Sequence, residues 1–335
     1  MPILTPSDVH IDKPLTNLTL AYVQDQSMFI ADKVFPIVGV QSQSDYYYIY
    51  DRDNMNRKGD VAKVAPRTEL ETIGMSISNS TYTADVYGLA MDFDEQTLAN
   101  EDAALEMRTA GAETLAMRMM IHRENQFAST FFATGVWTTE VDGVSGAPAG
   151  GQVRHWSDYT NGTPITDVTT ARRTMQLASG GFKPNTIVLG KEVRDQLINH
   201  PDILARLNGG ATVTNTALIT DSKLAEIFEV ENFYTMEAVE NTTAEGIAES
   251  NAFIGGKHAL LTYTPSSASL MSPAAGLTFA WNNLPGVANL GVSVESFSGD
   301  WLRVKQIAER IEVKMAYDMK VVGADMGYFF NGVIA

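Results

Sequence analysis

A chain of 335 residues with 44% hydrophobic and 19% charged side chains can bury a sizeable core, which excludes a disordered polymer. Its net charge of −16, with no Lys/Arg cluster, argues against tight wrapping of nucleic-acid phosphates and against a DNA-reading arm. Cysteine is absent, which excludes disulfides, thiolate metal sites and cysteine nucleophiles together.

Residues 1–20 carry Pro2, Pro6 and Pro14 among scattered polar groups and predict an extended arm without a core of its own. The opening MPILTPSDVHIDKPL has neither a basic start nor an apolar centre, so no signal peptide is expected. No run in the chain approaches the ~18 apolar residues of a membrane span. Leu20 to Val40 is apolar enough to dock and is stopped by Pro36. Tyr46 to Tyr50, YYYIY, is β-prone, and Asp51 to Glu69 is polar and turn-rich. Ile73, Met75 and Ile77 then alternate with polar residues, followed by Tyr82, Ala84 and Val86 and by Tyr87, Leu89, Met91 and Phe93. The parity changes at Val86–Tyr87, which predicts a β-bulge. Residues 45–93 therefore read as a long two-stranded excursion, and such a ribbon is marginal in water unless it leans on a neighbouring copy.

Asp94 to Ala133 holds no proline and is rich in Ala, Leu, Met and Glu. Leu98, Leu105, Ala112, Leu115, Met119, Met120, Phe127 and Phe131 recur at helical spacing, predicting one apolar stripe. A continuous helix of about 40 residues would be a rod of roughly 60 Å, far longer than the ordinary globular helix. The heptad of a coiled coil is not kept, and Gly111 offers a cheap bend. A spine lying across a plate-like subunit fits better. Thr134 to Thr163 is glycine-rich, though Trp137, Trp156 and Tyr159 argue against a free linker.

From Thr166 the texture becomes α/β. Helices are expected over 166–178 and 191–207, the second broken at Pro201, with Asp221 capping a third that runs to Phe228. Strands are expected at Thr186–Leu189, 229–236, Ala252–Gly255 and Leu260–Tyr263. Near the end Ile311, Val313, Met315, Tyr317, Met319 and Val321 alternate with Glu312, Lys314, Ala316, Asp318 and Lys320. This is the cleanest strand signal in the sequence, and Leu290–Phe297 and Trp301–Ile307 are its expected partners. No repeat of solenoid or propeller period is visible.

Motifs of catalysis are missing. Asp51-x-Asp53-x-Met55 begins like a calcium loop, but Asn56 stands where Gly is required and Ala62 where Glu is required. His122-Arg123-Glu124-Asn125-Gln126 is not HExxH, and His10, His122, His155, His200 and His258 are widely scattered. Gly190-Lys191-Glu192 lacks the flanks of a phosphate loop, and no GxSxG is present. Neither a cofactor nor a metal is expected. A soluble enzyme built on residues 166–265 has no site to rest on.

Several stretches carry a family likeness: FIADKVFPIVGVQSQSDYYYIYDR (29–52), NTIVLGKEVRDQLINHPDILARL (185–207), LAEIFEVENFYTMEAVEN (224–241) and AFIGGKHALLTYTP (252–265). In this order, the chain resembles the major capsid proteins of tailed bacteriophages, the fold named for the Hong Kong ninety-seven phage and shared with encapsulins. The resemblance, from roughly Leu18 to Ala335, implies an α+β subunit in four parts. These are an N-terminal arm (1–44), an E-loop hairpin (45–93), a P-domain (94–165 and 277–335) with a spine helix over 94–133, and an A-domain (166–276).

The resemblance also implies pentamers and hexamers in an icosahedral shell around double-stranded DNA, a virion protein assembled in the host cytoplasm. Its partners would be further copies, a portal, decoration proteins and, because the arm is short, a separate scaffolding protein or none. The alternative of the same fold is an encapsulin-type compartment around a protein cargo. Subunit contacts are expected from Tyr46, Tyr48, Tyr50, Arg52, Arg57, Lys58 and Lys63 on the hairpin. Some members join an E-loop Lys to a P-domain Asn of a neighbour. Lys58 and Asn331 are the pair here, although a solvated Lys58 is the ordinary reading.

Overall fold

The computed structural model describes residues 24–50, 77–96, 107–207, 219–244, 246–267, 273–283, 293–297 and 307–335, with isolated positions between 61 and 74. The chain opens with a 3-10 turn at Gln26–Met28, then strands β1 (Ile37–Val40), β2 (Ser44–Tyr50), β3 (Ile77–Thr83) and β4 (Asp85–Asp94). Helix α1 (Met107–Phe131) follows, then β5 (Thr139–Val144), β6 (Gln152–Arg154) and α2 (Pro164–Ala178). Next are β7 (Thr186–Gly190), α3 (Lys191–Ile198), α4 (Pro201–Leu207), α5 (Asp221–Phe228) and β8 (Asn232–Met236). The chain continues through β9 (Val239–Asn241), β10 (Asn251–Phe253), β11 (Ala259–Thr262) and β12 (Gly276–Trp281). It closes with β13 (Ser293–Phe297), β14 (Ile307–Val321) and β15 (Gly327–Asn331).

One sheet is organised by β14, a strand of 15 residues. It pairs antiparallel with β4 on one edge and with β12 and then β13 along the other, while β1 lies parallel to β12. The alternation read from the sequence is obeyed except at Ala316, expected on the wet face but buried. Ile311, Val313, Met315 and Tyr317 are buried, while Glu312, Lys314 and Asp318 are half-buried on the other face. Helix α1 covers the apolar face, with Leu115, Met119, Phe127 and Phe131 turned into the core and Phe35 packed against both phenylalanines. The helix has 25 described residues, roughly 38 Å at its fixed rise. Leu98 and Leu105 lie outside the described residues.

Gly111 has a different role from a hinge. A Cβ there would come within 2.6 Å of the Phe93 ring, so the missing side chain lets β4 press against the helix. The parity change in the second strand is real but is not a bulge at Val86–Tyr87. β3 pairs with β2 as far as Thr83, the ladder stops at Ala84, and β4 starts anew on β14. Crossing from one sheet to the other reverses which positions face inward: Tyr82 and Ala84 are buried before the crossing, and Phe93 is buried after it. The register irregularity of β4 lies at its far end, opposite Ile307–Glu309.

The second sheet has the order β6-β5-β15-β11-β7-β8. Its strands β7 and β11 are buried throughout, all five residues of the first and all four of the second, as suits a sheet covered on both faces. Helices α2 to α5 pack on it through Val168, Ala171, Val193, Leu197, Ile203, Leu224 and Phe228. The break at Pro201 falls as expected, between α3 and α4. Asp221 is the first residue of α5 rather than its cap; the cap position is Thr220, and Asp221 instead holds Arg194. This sheet takes β5 and β6 from before residue 165 and β15 from after residue 277, so it crosses both boundaries suggested by sequence texture. The polar stretch after Glu237 forms a small hairpin, β9–β10.

Candidate inter-subunit surface

The two-stranded ribbon β2–β3 leaves the body of the subunit with Ser44 opposite Thr83 and Tyr50 opposite Ile77. Period-two geometry sorts its side chains onto two faces. Tyr47 and Tyr82 are buried on the inner face and lie against the Phe279 ring of β12, at 5.4 and 4.5 Å between centroids. Val38, Val40 and Leu277 complete this cluster. Burial pushes the Tyr82 phenol above its ordinary pKa, reinforced by Asp45, and its hydroxyl donates to the Ser42 carbonyl. The root is held as well: the Thr83 amide donates to Asp318, and the Trp281 indole to the Gln41 carbonyl.

The outer face has no such cover. Tyr46 is 63% exposed and Tyr48 is 60% exposed, flanked across the ladder by exposed Thr81 and Asn79. Beyond the ribbon Val61 is 92% exposed and Leu70 is 70% exposed. Large apolar and aromatic side chains are therefore exposed along one stretch of the sequence, which makes it the candidate contact surface. Tyr50 continues the ladder, and Lys63 is exposed. Arg52, Arg57 and Lys58 lie outside the described residues.

A different surface covers the outer side of β14. Arg310 grips Asp92 of β4 through two contacts of 2.6 and 2.8 Å, Lys314 pairs with Glu312 and Lys320 with Asp318, while Arg108 of α1 pairs with Glu309 on the helix side. These charges are matched within the chain. Asn331 is engaged internally too, its amide donating to Asp142 at 2.8 Å where β15 meets β5. Among the described residues no cluster of His, Asp or Glu could hold a metal ion, and no described helix is long and apolar enough to cross a membrane.

Sequence reasoning missed Glu124 and Arg123. Both are buried within the apolar stripe of α1, and Glu124 accepts hydrogen bonds from the backbone amides of Ile30 and Ala31. In the sequence the run His122–Gln126 stands out only as a metal motif, which it does not match. Only the positions of Leu115, Met119 and Phe127 around it signalled that Glu124 would face inward.

With this arrangement, comparison with solved structures defines the class. A phage-related protein from Bordetella bronchiseptica RB50 superposes with a TM-score of 0.67 at 18% identity, covering 96% of this chain and 97% of that one. The capsid protein of cyanophage P-SCSP1u gives 0.58 at 9% identity over 93% and 90% of the two chains. The mature capsid of bacteriophage PhiM1 gives 0.54 at 11% identity over 90% and 86%. The chain has the α+β fold of tailed-phage capsid proteins of the Hong Kong ninety-seven type.

In sequence, the major capsid protein of Burkholderia phage BcepMu is 20% identical over 340 residues, spanning 96% of both proteins. No family model matches the chain.

Proposed function

We propose that this chain is the major capsid subunit of a tailed phage, a structural protein that joins copies of itself as pentamers and hexamers into a closed icosahedral shell around double-stranded DNA. The observation that carries this reading is the near full-length agreement with phage capsid folds, with no large part of the chain left over for another activity. In this reading 1–44 is the arm and 45–93 the reaching segment, of which β2–β3 forms the ribbon while β4 returns to the sheet of β14; 94–165 with 277–335 and 166–276 are the peripheral and central parts, which share the second sheet. Tyr46, Tyr48 and Tyr50, with Arg52, Arg57, Lys58 and Lys63 further out, lie against an adjacent copy. Tyrosine suits this position because a large rigid ring contributes contact area at small entropic cost while its hydroxyl stays hydrogen-bonded. Repeated weak contacts of this kind add up in a closed symmetric assembly.

Negative-stain electron microscopy and sedimentation velocity of the purified full chain test the proposal. Closed shells, or rings of five and six, are expected. A chain that stays monomeric at every concentration, with and without its phage's scaffolding protein, overturns it. Nucleic acid inside particles recovered from infected cells distinguishes a phage head from a compartment that holds a protein cargo.

A further inference from the structure

Four consecutive polar residues of α1, His122 to Asn125, step round the helix by about 100° each and therefore reach different sides of it. The His122 ring lies 4.7 Å from that of Tyr87 on β4. Arg123 reaches Asp32 at 3.6 Å. Both oxygens of Glu124 face the Ile30 amide, at 3.1 and 3.3 Å, and one also takes the Ala31 amide at 3.0 Å. Asn125 donates to Glu240 on β9 at 2.6 Å, and Gln24 closes the circuit by exchanging two hydrogen bonds with Val239. The seat so formed holds the segment Phe29–Phe35, whose Phe29, Ile30, Ala31, Val34 and Phe35 are buried. That segment leads within two residues into β1 and then into the root of the β2–β3 ribbon.

Glu124 is fully buried, and among the described residues no cation lies within ion-pair distance of it; the described ion pair of Arg123 is with Asp32. Two backbone amides are a weak counterweight for a buried carboxylate, so its ionised form is costly in the closed seat and cheap once exposed to water. Burial raises its pKa to about 7, against the pull of the two amides and Arg123 and with a further push from Asp32. The other charged or titratable groups around the seat are His122, Tyr87, Tyr317 and Glu240.

We propose that Glu124 is a proton-operated latch: protonated, it keeps the Phe29–Phe35 segment seated on α1, and ionised, it favours release of that segment and slackens the root of the hairpin. The proton is exchanged with solvent, and the neutral carboxyl still offers an oxygen to the amides. The sign follows from linkage. The closed seat binds the proton more tightly than the open one, so closure is strongest in acid and weakens as the pH rises through about 7. The proposal does not depend on the shell reading, since it concerns contacts within one chain.

Hydrogen exchange of the full chain, with protection of the Ile30 and Ala31 amides corrected for intrinsic exchange, tests it. Protection should fall on the order of 100-fold between about pH 5 and about pH 8 in the wild type and stay flat in Glu124→Gln. The β7 amides, in the other sheet, should show no such step in either protein. Flat or rising protection in the wild type overturns the latch, as does an identical fall in the variant. If Glu124→Gln does not fold, the carbon-13 titration of the Glu124 carboxyl in the wild type decides: a midpoint near about 7 supports the latch, and one in the ordinary carboxylate range overturns it.

Discussion

On β14 the inward Ile311, Val313, Met315 and Tyr317 pack in the core, and the outward Glu312, Lys314, Asp318 and Lys320 find partners of opposite charge in the same chain. On β2 the inward Tyr47 is just as well buried, against Phe279, but outward stand Tyr46 and Tyr48, both largely exposed. Both strands obey the same period of two. What separates them is the composition of the outer face: matched charges belong to water, whereas unmatched aromatic rings are complete only against another surface. Inner faces thus decide folding, and in the shell proposed above the outer faces are the ones left for assembly.

That separation can be broken from its inner side first. Phe279→Ala removes the ring on which Tyr47 and Tyr82 rest, and should cost about 3–5 kcal/mol in urea unfolding. A cost below about 1 kcal/mol would mean that the ribbon is not anchored there. The Glu124 seat gives the next largest effect. Its folded pKa of about 7 lies above the ordinary value of 4.5, so its contribution is complete below the lower value and is lost as the pH rises through the upper one. Over that window the stability difference between wild type and Glu124→Gln should change by about 3 kcal/mol, wild type being favoured at the acid end. A difference independent of pH would remove the titration from Glu124.

The outer face should behave in the opposite way. Replacing Tyr46 and Tyr48 together by Ser should shift unfolding by less than about 0.5 kcal/mol each, because neither ring is buried in the isolated chain. The same variant should form few or no closed shells in micrographs, and wild-type shell yield would dismiss these rings as contacts. The smallest effect on stability is expected from reversing Arg57 and Lys58 to Glu. Unfolding should stay unchanged while the assembly rate falls, most clearly at low salt, as charges at a contact rim steer encounter more than they add affinity. Light scattering during assembly would read this directly.

Much of this was legible in the chain before folding. The stripe Leu115, Met119, Phe127, Phe131, the alternation along 311–321 and the break at Pro201 follow from helical and strand periods and from the missing amide of proline, which act over a few residues. The tyrosines at 46 and 48 were legible as candidates for the same reason, being two apart on a β-prone run. Tertiary structure alone decided the rest. That Ala84 marks a change of sheet, that Gly111 makes room for Phe93, that β15 joins β5 across almost two hundred residues, and that Glu124 closes on Ile30 and Ala31 all depend on partners distant in sequence. Local preference cannot name such partners. They are selected when burying apolar faces outweighs the entropy of closing the long loops between them, and a polar run such as His122–Asn125 is carried inward with the helix that bears it.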